Sequence, residues 1–99
     1  MAEAEEAVAI FSLRKSRIRR TVLGYLISIY PSTSYASEIA RKTRLRVTDV
    51  CGALNGLSDR FKKENSLVDL NLVEKTEKDN YVFYRATEQG HKTLSIIRE

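Results

Sequence analysis

Apolar and polar positions change period several times along the chain. Residues 2–13 begin rich in Ala and Glu and turn apolar at Val8, Ile10, Phe11 and Leu13, which predicts a short helix, frayed at its start. Its apolar face must land on the domain itself or on a second copy. Ile18, Val22, Tyr25, Leu26 and Ile29 then share one helical face, and Leu23 and Ile27 widen it. That breadth predicts a central core helix over 17–29. Ser16 caps it and Pro31 stops it, because proline lacks the N–H and clashes with the preceding turn. Gly24 and Ser28 would let a neighbour pack closely. Residues 32–36 read as a loop holding a strand of one or two residues.

Residues 35–57, YASEIARKTRLRVTDVCGALNGL, are the stretch around which the rest is organised. A first short helix is expected over 37–42, with Ser37 as N-cap and Ile39 and Ala40 facing inward. Residues 43–46 form the turn. A second helix starts near Val47 and is prolonged through 58–63. Val50, Leu54, Leu57 and Phe61 fall on one stripe of a 3.6-residue period and should be buried. Thr48, Asp49, Gly52, Asn55 and Gly56 are left facing out. Gly inside a helix costs about 1 kcal/mol relative to Ala, so Gly52 and Ala53 need a reason. Ala53 reads as packing against the helix over 17–29, and Gly52 as a close approach to a groove. The combination fits a helix-turn-helix whose second helix enters a DNA major groove.

Beyond it, Ser66 caps a short turn holding Leu67, Val68 and Leu70. Residues 72–76 alternate as a strand, Lys78-Asp79-Asn80 is a turn, and 81–86 is the returning strand, rich in aromatic and β-branched residues. Thr87 caps a last helix over 88–98.

Charge sharpens this reading. The net charge is +4, but residues 1–12 carry three acids and no base, and residues 13–46 carry nine bases against one acid, Glu38. Residues 47–99 are nearly balanced, with eight bases and nine acids. A basic stripe of this kind is the electrostatic footprint of a polyanion partner. Arg14, Lys15, Arg17, Arg19 and Arg20 crowd the N-terminal end of a helix, where the helix dipole favours anions; a phosphate partner explains that placement better than helix stability does.

EIARKTRLRVTDVCGALNGL resembles the winged helix-turn-helix of small prokaryotic and archaeal transcription regulators. LNLVEKTEKDNYVFYRATEQGHKTL resembles that family's wing and closing helix, and the resemblance covers roughly residues 16–97. It implies that Ile39 and Ala40 are the apolar pair of the positioning helix. Leu45 would plug the core from the turn, and Val50 and Leu54 would be the buried side of the recognition helix. Asn71 stands where the family commonly has Gly at positive φ, a conformation Asn tolerates. Two departures are visible. The family often has Gly at the turn where this chain has Arg44, and its connection to the first wing strand is shorter than residues 58–70.

Pattern and resemblance together imply one domain, mainly α with a small β-hairpin, a winged helix-turn-helix. A helical extension (1–14) would precede the helix-turn-helix (37–64), the wing hairpin (72–86) and the C-terminal helix (88–98). The expected function is a cytoplasmic, sequence-specific transcription regulator that binds double-stranded DNA as a homodimer. Thr48, Asp49, Gly52 and Asn55 would read bases. Arg17, Arg20, Arg41, Lys42, Arg44 and Arg46 would bind phosphates, and Lys75, Lys78 and Asn80 would bring the wing to the DNA.

Catalytic chemistry is not legible. His91 is the sole histidine, beside Gly90 on the terminal helix, and reads as solvent-facing. Cys51 flanks the buried stripe and reads as a small hydrophobe; a redox thiol near Arg44 and Arg46 is the alternative. One cysteine suits a reducing cytosol. No Cys/His set has zinc spacing and no Gly-rich loop marks a nucleotide site, so neither an enzyme nor a bound metal or cofactor is expected. No run of 18 apolar residues could span a membrane. The rival reading is a winged-helix protein-interaction module. RNA binding is weaker, because no aromatic stacking platform is visible.

Overall fold

The computed structural model describes the backbone of residues 2–57 and 61–98 and the side chains of residues 6–57 and 61–98. In chain order the elements are α1 (Ala2–Arg14), α2 (Arg17–Ser28), α3 (Ala36–Thr43), α4 (Val47–Asn55), a 3-10 turn (Lys63–Asn65), β1 (Val73–Lys78), β2 (Tyr81–Ala86) and α5 (Glu88–Arg98). The chain is thus mainly helical with one antiparallel hairpin, an arrangement compatible with a winged helix.

The broad apolar face of α2 places it at the centre. Its Val22, Leu23 and Leu26 are fully buried, and α1, α3, α4, α5 and β2 all pack on it. Leu13, Ile39, Val50, Leu54, Leu67, Leu72, Val73 and Leu94 complete the core. Each such side chain contributes about 1.5–3 kcal/mol by leaving water. Gly24 lets the α5 side chain of Arg98 lie close over α2. Among the described residues no helix is long and apolar enough to cross a membrane.

Local chemistry sets most boundaries. The Ser16 hydroxyl accepts the Arg19 N–H at 3.1 Å and starts α2. Thr87 Oγ1 accepts the Gly90 N–H at 2.9 Å and starts α5. Ser66 Oγ accepts the Asp69 N–H at 3.2 Å, and Asn71 has a φ of 61°. The hairpin pairs Val73 with Ala86 through Lys78 with Tyr81. Its two-residue loop, Asp79 and Asn80, has φ values of 52° and 68°, the conformation that matches the twist of the strands. Ser34 adds a single-residue bridge to Tyr84, the short strand expected in the 32–36 loop.

Three expectations are corrected. Helix α3 begins at Ala36 after Tyr35, so Ser37 lies within its first turn and is not the cap. Helix α4 ends at Asn55, short of the expected continuation: Gly56, with a φ of 78°, turns the chain. Leu57 is therefore 61% exposed, whereas Phe61 is buried, with the Leu57 N–H donating to Phe61 O at 2.9 Å. Part of the segment expected to be helical, 58–60, lies outside the described residues. In α1, Leu13 enters the core of its own domain while Phe11 is 62% exposed.

Gly90 marks a tight contact. A Cβ there would lie 2.2 Å from the carbonyl oxygen of Leu72, which also accepts the Thr87 N–H. Gly90→Ala would gain about 1 kcal/mol in helix propensity but force α5 off this backbone. A net loss of about 1–3 kcal/mol, the usual scale of overpacking, is expected in urea denaturation. A midpoint at or above that of the parent would refute the contact.

Candidate nucleic-acid interface

The turn between α3 and α4 is built around Arg44, which ends α3 in the left-handed region at φ 60°, ψ 33°. Its N–H and that of Leu45 both reach Ala40 O. A non-glycine residue there costs on the order of 1 kcal/mol. Leu45 then packs against the core. Arg46 precedes α4 without a side-chain cap, and its Nε donates to Asp49 Oδ2 at 3.2 Å. The acid sits in the first turn, where it favours the helix dipole.

The expected base-reading residues divide. Thr48 is exposed, as required. Asp49 is not: only 9% exposed, it lies against the helix N-terminus and Arg46. Gly52 is also buried. A Cβ on it would lie 2.5 Å from Phe61 Cδ2, so glycine is needed to admit the Phe61 ring, not a groove. Asn55 is half-buried, and its Nδ2 donates to Tyr84 Oη at 2.9 Å, tying the end of α4 to β2. The outward face of α4 therefore consists of Val47, Thr48 and the half-exposed Cys51, with Asn55 at its end. Val47 and Cys51 were missed because their apolar character pointed inward. Their spacing of four from each other and from Asn55 is the signal that could have found them.

Cations precede this uncharged face, in the last turn of α3 and in the turn that leads into α4. Arg41, Lys42, Arg44 and Arg46 are exposed, Arg46 with 76% of its side chain accessible. The nearby acids are engaged: Glu38 accepts from Ser34 Oγ at 2.6 Å, and Asp49 holds Arg46. Arg17 is exposed too. Arg20 is corrected: its Nη1 donates to the carbonyls of Leu13 and Arg14, at 2.7 Å each, and closes the C-terminal end of α1.

The wing residues are all exposed but do not share a face. Cross-strand partners point to the same side of a sheet. Lys75 is paired with Tyr84 and so lies on the side facing α4. Lys78 is paired with Tyr81 on the opposite side, and Asn80 occupies the turn. On that opposite side Tyr35, Phe83 and Tyr81 form an aromatic row, with successive ring centroids 6.4 Å apart, which was not expected from the sequence. The Tyr35–Phe83 pair meets edge against face at 87° and the Tyr81–Phe83 pair is tilted at 42°, so the rings do not form a flat platform for bases.

His91 is exposed on α5. Among the described residues no group of His, Cys, Asp or Glu could hold a metal ion. What the arrangement around α4 can do chemically is present a small uncharged helix face to a partner while its rim attracts negative charge.

Comparison with known proteins gives a lineage for this architecture. The sequence model of the EarA-like family matches residues 9–97, nearly the whole chain. The chain belongs to the EarA-like family. An uncharacterized protein of Methanocaldococcus jannaschii is 34% identical over 94 residues, covering 95% of this chain and 85% of the relative. No solved structure matches the chain significantly. The EarA-like match spans α2 to β2 in full, the C-terminal six residues of α1 and all of α5 but its last residue, so it takes in the α3–α4 turn with its arginines and the hairpin.

The Gly52–Phe61 contact can be tested directly. If Gly52 faced a groove, Gly52→Ala would stabilise the protein by about 1 kcal/mol through helix propensity. With Phe61 on it, Gly52→Ala should instead destabilise by about 1–3 kcal/mol. Most of that penalty should vanish in a Phe61→Leu background, read as the coupling term of a double-mutant cycle.

Proposed function

We propose that this chain is a cytoplasmic, sequence-specific transcription regulator that binds double-stranded DNA with the exposed face of α4, acts as a homodimer and has no enzymatic activity. The observation that carries the reading is the uncharged outer face of α4 preceded in the α3–α4 turn by exposed Arg41, Lys42, Arg44 and Arg46, with Glu38 and Asp49 already engaged. A short helix of this kind, led by cations, suits a major groove: the rim meets phosphates and the face meets base edges. The presence of Arg44 where glycine would be relaxed adds weight, because a strained backbone position is a pointer to a side chain with a task.

In this reading Thr48 is the principal base contact, its methyl suited to a thymine methyl. Asn55 reaches a base through its Oδ1 while Nδ2 stays on Tyr84. Asp49 and Gly52 leave the base-reading set, and Arg20 leaves the phosphate set. Lys75 is the wing cation on the α4 side of the sheet. A protein-interaction module remains the alternative, and it needs no salt-dependent affinity for duplexes.

Arg44 supplies a test in which stability and binding move oppositely. Arg44→Gly should raise stability by about 0.5–1 kcal/mol by relieving the positive φ. It should also weaken specific and random duplexes alike, flattening the log K against log salt slope by about 0.9, one phosphate's share. Thr48→Ala should leave the slope unchanged and lose roughly 1 kcal/mol on a selected site only. Fluorescence anisotropy over a salt series measures both. If the parent binds neither duplex, DNA is not the partner and the interaction module stands.

The homodimer rests on α1. Val8 and Phe11 are 43% and 62% exposed and lie one turn apart on its outer face. The N-terminal half of α1 carries Glu3, Glu5 and Glu6, and its C-terminal end carries Arg14. Two copies laid antiparallel about a twofold axis would bring apolar stripe to apolar stripe and acidic end to basic end. Phe11→Glu should convert the dimer to a folded monomer in sedimentation equilibrium at tens of micromolar protein. A parent that is already monomeric there would remove the dimer.

A further inference from the structure

Arg19 is the one fully buried cation among the described residues, with 2% of its surface exposed. It has no acid partner among those residues, and its Nε is buried without a hydrogen-bond partner. Its guanidinium carbon lies 5.7 Å from the centroid of the Phe61 ring, a cation–π contact that offsets part of the burial but supplies no acceptor. Burial pushes its pKa below the ordinary arginine value, as expected of a charge removed from water. A buried charge without compensation is costly, and native structures keep one only where something answers it.

The surroundings identify what would answer it. Arg19 lines an open cavity of about 290 Å³ together with Lys15, Ser16, Arg17, Ile18 and Phe61. The cavity lies at the N-terminal end of α2, a helix of 12 residues with no acid in its first turn. Ser16 takes the Arg19 N–H, but the N–H groups of Arg17 and Ile18 have no partner within the helix. Three cations, backbone donors without a helical partner and the positive end of a helix dipole thus converge on one recess, and no carboxylate of the described residues lines it. Anions bind helix N-termini for these reasons, and a planar guanidinium suits tetrahedral oxyanions.

We propose that this recess is a binding site for a phosphate-class oxyanion, held by Arg19 from within, by Lys15 and Arg17 at the rim and by the first N–H groups of α2. The site does not use the outer face of α4 and holds whether or not DNA is the partner of that face. Its position suggests a consequence. Arg19 touches Phe61, and Phe61 rests on Gly52 at the back of α4, so occupancy bears on how firmly α4 is seated. A free small anion and a nucleic-acid backbone both supply this phosphate chemistry, and the experiment's two arms distinguish them.

The experiment titrates the full chain with orthophosphate, against chloride at matched ionic strength, and follows the melting temperature. A phosphate-specific rise is expected in the parent, as binding to the native state requires. It should be absent in Arg19→Met and need about tenfold more phosphate in Arg17→Ala, an exposed position where folding is not at risk. In chloride alone Arg19→Met should melt no lower than the parent, since it removes an unanswered buried charge. A second arm measures the salt slope of duplex binding. If orthophosphate has no effect but Arg19→Met and Arg17→Ala each flatten that slope by about 0.9, the anion is the backbone of the nucleic acid. Failure of both arms overturns the site, even if the parent binds DNA. So does a large loss of stability of Arg19→Met in chloride alone, because the charge would then be answered within the chain itself.

Discussion

The burial of α2 is the constraint on which the rest depends. With Val22, Leu23 and Leu26 sealed from water, this helix contacts every other helix and the second strand of the hairpin. Three side chains at about 1.5–3 kcal/mol each are comparable with the whole net stability of a small domain. The orientation of α4 is a by-product. Val50, Ala53 and Leu54 are held inward by this core, which commits Val47, Thr48 and Cys51 to the outside. The exposed face is selected by packing first, and its chemistry has to work within what packing leaves over.

Elements fixed by local chemistry were legible in the sequence. Ser16 and Thr87 cap their helices through bonds three residues away, and Asp79-Asn80 closes the hairpin in a loop whose left-handed conformations those residue types tolerate. Contacts across the chain were not legible. Phe61 satisfies the helical stripe that includes Val50 and Leu54 and is buried, yet α4 ends at Asn55 and Gly56 turns the chain before Phe61 is reached. A side chain that fills the expected volume by another path cannot be told from one that continues the helix. Gly52 shares that ambiguity, since its neighbour is the Phe61 ring that the helical stripe places further along the helix. Asn55 looked free because its partner, Tyr84, is 29 residues away.

The basic cluster at the start of α2 shows why charge counts mislead. Arg20 and Arg19 are adjacent in sequence and would be counted together as footprint. Arg20 turns to the carbonyl end of α1, where a cation is favoured by the dipole of that helix. Arg19 turns inward against Phe61. Only Arg14, Lys15 and Arg17 of the five remain exposed. Long aliphatic stems let a cation leave the face its backbone position assigns, so a linear run of arginines fixes the charge but not its direction.

Arg44 joins these threads. A glycine would end α3 without strain, and the local fold gives no reason for a large side chain, since Leu45 is the residue that returns to the core. The cost of roughly 1 kcal/mol is a sizeable fraction of the margin on which a chain of 99 residues survives. Strain of that size is most economically explained by what the side chain meets outside the molecule. The same logic applies to Arg19, where the cost is burial instead of torsion. The two positions differ in what removing the residue would do: glycine at 44 relaxes a backbone, while an apolar residue at 19 relieves a charge. Both changes leave the core of α2 intact, and each therefore separates stability from binding at its own site.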